Sequence, residues 1–390
     1  MKACNLNHEG PLAGVKVIDL SRLVAGNMLS LFLADFGADV IKIERPEIGD
    51  DLRNWREAGQ AVYWKVYGRN KRSAVIDFKS EEGLVQLKKL IKSAQIVVEN
   101  FVPGGLEKMG LSPYVLHELN PALVIARVSG WGQTGPYKSK PGFGTLVEAM
   151  SGFAYLNGYA DKPPALPPLA MADMIAGIYG AAGVLTALRA SEKNGIGQVV
   201  DLSLFEPIFS LISSEAAKYQ LSGEPTMRSG NQSSHTAPRN VYACQDNKHI
   251  ALSGSMQSMA MKILDTIGRP ELKTDPRFHD NDARVVNRDL LDSIIQEFIG
   301  SKTQDECLTL FEQANVTAGP VCSVADLLDH PFIVGREAIV HLEDEDLGSV
   351  PMHNIIPRLS KSPGGFRRTA PKLGEHTADV LAEVKHITLD

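Results

Sequence analysis

The chain is expected to be an α/β protein, a Rossmann-like, mostly parallel sheet with helices on both faces, followed by a smaller α+β domain. Three observations predict this. Short β-branched runs alternate with helical patterns over the first 130 residues, the pattern of parallel strands joined by crossover helices. Beyond about residue 225 the pattern changes to a hairpin-like segment and amphipathic helices. At 390 residues the chain is also too long for one ordinary core.

Taken in order, "VKVIDL" (15–20) is a strand and "NMLSLFLADFG" a helix, and "ADVIKIER" and "RSAVIDF" are strands. "SEEGLVQLKKLIKSA" is a helix leading to the strand "QIVVEN", and a further helical stretch leads to "ALVIARVSG". A long apolar helix near 172–193 precedes the strand "QVVDLSL". The large domain is expected over 1–205, completed by 325–390, and the small one over 225–320, with linkers at 206–224 and 321–330. The small domain holds "NVYACQDNKHIALSG", "VVNRDLLDSIIQEFIG" and "TQDECLTLFEQAN". Ligands of parallel sheets bind outside the carboxyl ends of the strands. "SRLVAG", "ERPEIGDDLR", "ENFVPGG" and "SGWGQTGP" each follow a strand directly, so four loops converge on one candidate site.

Composition removes several function classes. Forty basic against 46 acidic residues give a net charge of -6, which does not build the basic field that nucleic acid requires. Cys4, Cys244, Cys307 and Cys322 form no C-x-x-C pair, so neither a zinc site nor a disulfide framework is expected, and a reducing compartment fits. "MKACNLNHEGPLAG" lacks the apolar stretch of a signal peptide, and no run approaches about 18 uninterrupted apolar residues. These features predict a cytoplasmic protein without a membrane segment. The histidines form no H-E-x-x-H motif, and no metal is expected. G-x-S-x-G is absent, which argues against a serine hydrolase. "EDEDLG" (343–348) reads as an exposed turn between strands.

"GWGQTG" (130–135) matches G-x-G-x-x-G after a strand, and Glu148 lies near the distance of a ribose-binding acid. The motif runs into "PYKSKPG" instead of opening a helix, and Glu148 falls within "FGTLVEAMSG", so a dinucleotide site is not expected. "GRNKRS" places Lys71 and Arg72 just before a strand, and Arg45, Arg53 and Lys108 sit in other strand-end loops. Together they suit a phosphorylated ligand, Arg through its planar fork and Lys as a point charge. "LAMADMIAGIYG" (169–180) sets Asp173 among small and apolar residues at the start of the long helix. It can cap that helix. An ionised carboxylate in a poorly hydrated pocket is equally a usable nucleophile, and Ala170, Ala172, Ala176 and Gly177 allow a ligand close approach.

"PLAGVKVIDLSRLVAGNMLSLFLADFGADVIKIERPEIGDDLR", "NKRSAVIDFKSEEG", "VENFVPGGLEKMGL", "LNPALVIARVSGWGQTGP" and "MADMIAGIYGAAGVLTALRASEKNGIGQVVDLSL" resemble the class III coenzyme A transferases, the CaiB/BaiF family. The resemblance covers nearly the whole chain. It implies a CoA-transferase moving CoA between small carboxylic acids, with acyl-CoA as substrate, no tightly bound cofactor and an interlocked homodimer. It places the nucleophile at Asp173 and the CoA contacts at Leu23, Ala25, Arg45, Lys71, Arg72, Asn100 and Phe101. Lys108 stands where relatives use an arginine. Where formyl-CoA transferase has a glutamine in the first loop this chain has Val24, and its glycine-rich flap is here "SGSMQS", with the single glycine Gly254. Both departures point away from oxalate and formate.

Two alternatives arise from the same resemblance. α-Methylacyl-CoA racemases pair a histidine with the equivalent aspartate, but the histidine position is here Phe143, which cannot accept a proton. A non-catalytic CoA-binding protein would not need an intact Asp173. On the substrate side, Glu148, Gly254, His235 and Arg239 are the candidates. Arg239 replaces an aromatic residue of many relatives and suits the second carboxylate of a small dicarboxylate such as succinate.

Overall fold

The computed structural model describes residues 1–389 and divides into two compact units. The first comprises Met1–Ala154, Leu166–Gln220 and the chain from Gly335 onward. At its centre lie six strands: β1 Lys16–Asp19, β2 Asp39–Glu44, β3 Lys71–Val75, β4 Ile96–Glu99, β5 Val124–Ser129 and β6 Val199–Ser203. They form one sheet in the order β3-β2-β1-β4-β5-β6, with every neighbouring pair parallel. Ile18 of β1 aligns with Ile41 of β2 on one side and Val97 of β4 on the other. Strand order therefore reverses between β1 and β4, and a crevice opens at such a point beyond the carboxyl ends.

Alternation along the strands sends neighbouring residues to opposite faces. Val17, Val98 and Ala126 pack with Leu29 and Leu33 of the helix Leu23–Asp35 and Val184 of the helix Met171–Asn194. Ile18, Ile41 and Val97 pack with Leu87, Leu90 and Ile91 of Glu81–Lys92, Leu116 of Pro113–Leu119, and Val380 of Thr377–Glu383. Local chemistry sets the ends of these helices. Ser80 accepts a hydrogen bond from the Gly83 amide, Glu81 and Glu82 occupy the first turn, and Lys89 and Lys92 occupy the last.

Met171–Asn194 is long and apolar enough to cross a bilayer by length and composition. Here its small residues let it lie close against the first helix. A methyl group at Gly177 would come within 2.6 Å of Met28 Cβ and 3.0 Å of the Ala25 carbonyl oxygen. The helix stops at Gly195, whose φ of 73° is left-handed. Part of the segment expected to link the domains is helical and belongs to this unit, as Phe205–Ser210 and most of Ser214–Ser222. "EDEDLG" forms the turn of an antiparallel hairpin, Ile339–Asp344 with Gly348–His353. Asp344 in it is not merely solvated, since both its oxygens accept from Lys65 Nζ at 2.7 Å.

The second unit comprises Tyr155–Ala165 and Leu221–Val334. Its sheet is antiparallel, β7 Arg239–Ala243, β8 His249–Ser253 and β9 Ala318–Pro320. Tyr242, Ile250, Leu264, Ile295 and Phe311 form its core, and a capping box of Thr303 and Glu306 starts the helix Gln304–Gln313.

Beneath the carboxyl ends of β1 and β2 lies a charge network that the strand patterns conceal. Lys42, Asp19 and Lys71 are fully buried and Asp50 nearly so. Lys42 Nζ lies 3.2 Å from Asp19 and 3.0 Å from Asp50. Lys71 Nζ donates to Asn27 Oδ1 at 2.8 Å and reaches Asp19 at 3.4 Å. Burial alone would raise both carboxyls. Lys42 and Lys71 instead hold Asp19 below the usual range, and Lys42 with the Leu52 amide brings Asp50 down to about 2. Removing one member of a buried pair exposes its partner's desolvation, a loss of about 3–5 kcal/mol. Lys42→Met is therefore expected to lower the denaturation midpoint by that equivalent, while Lys2→Ala, which breaks an exposed 2.9 Å pair with Glu337, should cost at most about 1 kcal/mol. Guanidinium unfolding of the two variants side by side measures the contrast.

Candidate functional site

The loop after β1 is held from two sides. Asp50 Oδ1 accepts from the Leu23 amide at 3.0 Å, and Asp50 Oδ2 accepts from Asn27 Nδ2 at 2.8 Å. Asn100, from the loop after β4, reaches across the point where strand order reverses. Its Oδ1 accepts from the Arg22 amide at 2.9 Å and its Nδ2 donates to the Arg22 carbonyl at 2.7 Å. Under these restraints Leu23 adopts a φ of 61°, a conformation that a branched side chain takes only when its surroundings impose it.

A cleft of about 220 Å³ opens at these strand ends. Its walls come from the loops after four parallel strands: Arg22 after β1, Arg45 after β2, Phe78 and Lys79 after β3, and Phe101 after β4. Arg45 donates to the Gly49 carbonyl and, at 2.7 Å, to Asp51 Oδ1. The Phe78 and Phe101 rings meet edge to face with centroids 6.0 Å apart. The cleft thus joins cations to an aromatic wall.

Two expected phosphate contacts are placed elsewhere. Lys71 and Arg72 lie in the first two positions of β3, at the amino end of the sheet, and not in a strand-end loop. Lys71 is fully buried in the charge network, where burial and the nearby Lys42 bring its ammonium down to about 8. Arg72 pairs with Asp39 at 2.6 Å and Glu383 at 2.5 Å. The cations that line the cleft are Arg22, Arg45 and Lys79. Lys79 has its signal in "RSAVIDFK", a lysine just beyond a strand's carboxyl end. Lys108 is exposed on the short helix Gly105–Lys108 and is not among the cleft's lining residues.

Asp173 stands in the first turn of the helix Met171–Asn194. It does not serve as the cap. The N-cap residue is Ala170, without a side-chain hydrogen bond, and the Ala172 amide is satisfied at 3.0 Å by Glu148 Oε1 from the neighbouring helix Gly144–Met150. Glu148 is buried, which places a second carboxylate beside Asp173. Burial first, and the Glu148 charge second, push the Asp173 carboxyl up to about 6, against hydrogen bonds from its own amide and that of Ala25. Among the described residues Asp173 has no ion-pair partner. Gly144 allows it this position, because a Cβ there would fall on Asp173 Oδ2.

"GWGQTG" opens no helix. Gly130 packs on Gly142, and the Gln133 amide donates to Asp201 at 3.0 Å. His235, Arg239 and Gly254 belong to the second unit. His235 and Arg239 are exposed there. Gly254 is a packing position, whose added methyl would come within 2.9 Å of both Pro238 and Ile263. No group of three or more His, Cys, Asp or Glu side chains is arranged to hold a metal among the described residues.

A doubly wound parallel sheet with an arginine- and lysine-bearing cleft at its switch point, and at a neighbouring helix end a half-buried carboxylate without an ion-pair partner among the described residues, is a framework common to α/β enzymes. Comparison with known proteins supplies the family. Residues 12–377 match the model of CoA-transferase family III. The chain is 38% identical over 383 residues to the succinyl-CoA–D-citramalate CoA-transferase of Chloroflexus aurantiacus, covering 97% of this chain and 95% of the other. It is 35% identical to the succinate–glutarate CoA-transferase of Agrobacterium fabrum, covering 98% and 97%. A crystal structure of a CaiB/BaiF family protein from Brucella suis superposes with a TM-score of 0.86 at 33% identity, covering 97% of this chain and all of that one. The chain belongs to CoA-transferase family III and is an enzyme of that class.

The electrostatics of Asp173 carry a measurable consequence. Its native value of about 6 lies above the ordinary 3.8. The folded state therefore holds this proton more tightly, and the group subtracts stability as pH rises from about 4 to about 6. Glu148→Gln keeps an acceptor for the Ala172 amide but removes the neighbouring charge. A carbon-13 NMR titration of Asp173 is expected to show its midpoint moving toward lower pH in that variant; an unmoved midpoint would leave burial as the whole cause.

Proposed function

We propose that this enzyme transfers CoA from an acyl-CoA to a small carboxylic acid through covalent intermediates on Asp173. The observation that carries the reading is the half-buried Asp173 carboxylate without an ion-pair partner among the described residues, its value of about 6 still below neutral pH. Asp173 attacks the donor thioester carbonyl, the C–S bond breaks, and a mixed anhydride and CoA thiolate result. The thiolate attacks the aspartyl carbonyl of that anhydride, which releases the donor acid and leaves an aspartyl-CoA thioester. The acceptor carboxylate then attacks the aspartyl carbonyl, and the thiolate returns to the acceptor's carbonyl, restoring Asp173. The energy of the thioester bond is conserved at each step, so exclusion of water matters more than acid–base catalysis.

In this reading the cleft takes the CoA phosphates on Arg22, Arg45 and Lys79, charge-assisted contacts each contributing about 1.5–3 kcal/mol. The loop from Ser21 to Ala25 links that cleft to Asp173, since it lines the cleft at Ser21 and Arg22 and presents the Ala25 amide to the carboxylate. Asn100 acts on CoA indirectly, by holding the Arg22 backbone.

We assign the substrates to the small dicarboxylates. Support comes from relatives named for succinyl, citramalate and glutarate substrates. We further propose a homodimer, supported by the exposed Ile178, Tyr179, Phe209 and Leu211 of the large unit, and a reducing, cytoplasmic setting, supported by four free cysteines.

Asp173→Asn preserves size and removes the nucleophile. Transfer between succinyl-CoA and a panel of dicarboxylates is expected to fall to background, with a thermal midpoint equal to or slightly above wild type at pH 7.5, because an unfavourable, partly desolvated charge has gone. Hydroxylamine added to the wild-type enzyme with acyl-CoA should mark Asp173 alone, and a mark elsewhere would refute the mechanism. Gly144→Ala retains the carboxylate but displaces it. Transfer should drop at least about tenfold, since small misplacement of a reacting atom costs orders of magnitude, and unchanged kinetics would show that the crowding is relieved without moving Asp173.

A further inference from the structure

Asp50 and Asp51 follow one another yet face opposite environments. Asp50 turns into the buried network, whereas Asp51, about a third exposed, turns toward the cleft's cations. Asp51 Oδ1 accepts from Arg45 Nη2 at 2.7 Å, and Oδ2 lies 3.4 Å from Arg22 Nη1. Both arginines line the cleft. Arg22 Nε, moreover, is buried with no hydrogen-bond partner among the described residues. One carboxylate therefore bridges two of the cleft's three cations, and its side chain makes no other hydrogen bond among the described residues.

We propose that Asp51 is an internal stand-in for a CoA phosphate: it occupies the Arg22 and Arg45 donors in the free enzyme, yields them when CoA enters, and reclaims them as CoA leaves. The inference rests on the reading of the cleft as the phosphate site. A phosphate oxygen reaching Arg45 meets a donor already engaged by a carboxylate, so binding exchanges one charge-assisted contact for another and gains only the difference. In return the two guanidinium groups are held in place before the ligand arrives, and the recaptured contact speeds release. A transferase must pass its CoA ester to solvent once per turnover, which favours such a balance over tightest binding. Asp51 thus sets affinity without touching the reacting atoms.

The test is calorimetric titration with coenzyme A of wild type, Asp51→Asn, Arg45→Ala and the double variant, with Lys79→Ala as a further check on the cleft. Asp51→Asn should bind CoA about two- to fivefold more tightly, the range for freeing partly exposed ion-pair donors. Arg45→Ala should weaken binding at least tenfold, and in its background the gain from Asp51→Asn should fall by more than half, because the main donor to be freed is missing. Unchanged or weaker binding in Asp51→Asn, with Arg45→Ala still impaired, would overturn the stand-in role and leave the phosphate site standing. An equal gain with and without Arg45 would overturn it too, reducing Asp51 to a distant charge. Wild-type affinity in both Arg45→Ala and Lys79→Ala would remove the cleft as the CoA site, and the proposal with it.

Discussion

Lys42, held between Asp19 and Asp50 inside the sheet, is the contact on which the functional end of this protein depends. An ammonium without water is tolerable only when carboxylates surround it, and here the two carboxylates come from different segments, β1 and the loop after β2. Satisfying Lys42 therefore fixes Asp50. Asp50 then fixes the Leu23 amide and Asn27, and Leu23 is held in a left-handed conformation at the mouth of its helix. Two residues further on, the Ala25 amide meets Asp173. A buried charge network thus sets the position of the backbone around Asp173.

The environments of Asp50, buried, and Asp173, half-buried, contrast in sign. In the network, Asp50 sits beside an ammonium and several amides and falls to about 2. Asp173 has Glu148 as its charged neighbour and rises to about 6. Fully compensated charges are rigid and inert. An under-compensated one suits the covalent role proposed for Asp173, because forming a bond to an acyl carbon would neutralise it. The small residues around Asp173 complete the arrangement: Gly144 leaves room for its oxygen and Gly177 lets its helix lie on Ala25, so the carboxylate is crowded by backbone rather than by side chains that would solvate it.

Much of this was legible in the sequence for reasons of periodicity. Continuous β-branched runs such as "KVID" and "IVVE" announce strands buried on both faces, and amphipathic stretches such as "EEGLVQLKKLIK" announce the helices that cover them. Asp173 stood out because a single charge in an apolar, small-residue helix needs a reason. The network is not legible in the sequence, because Lys42 in "DVIKIE" looks like an exposed position of a strand. Only the pairing of β2 with β1 and the return of the Asp50 loop show that its side chain has nowhere to go but inward.

The sequence by itself determined the class of fold and the family and singled out Asp173, since each is carried by residue type and spacing along the chain. Tertiary structure decided which cations face the cleft. Lys71 and Lys79 are the same residue type, eight positions apart around one strand, and no local pattern ranks them. Parallel register places Lys71 opposite Val40 at the amino end of the sheet, where it is buried among Asp19 and Asn27, while Lys79 emerges beyond the carboxyl end, beside Arg45 and Phe101. The direction of a strand within its sheet is a property of the pairing between distant segments, and that pairing separates a structural ammonium from one free to meet a ligand.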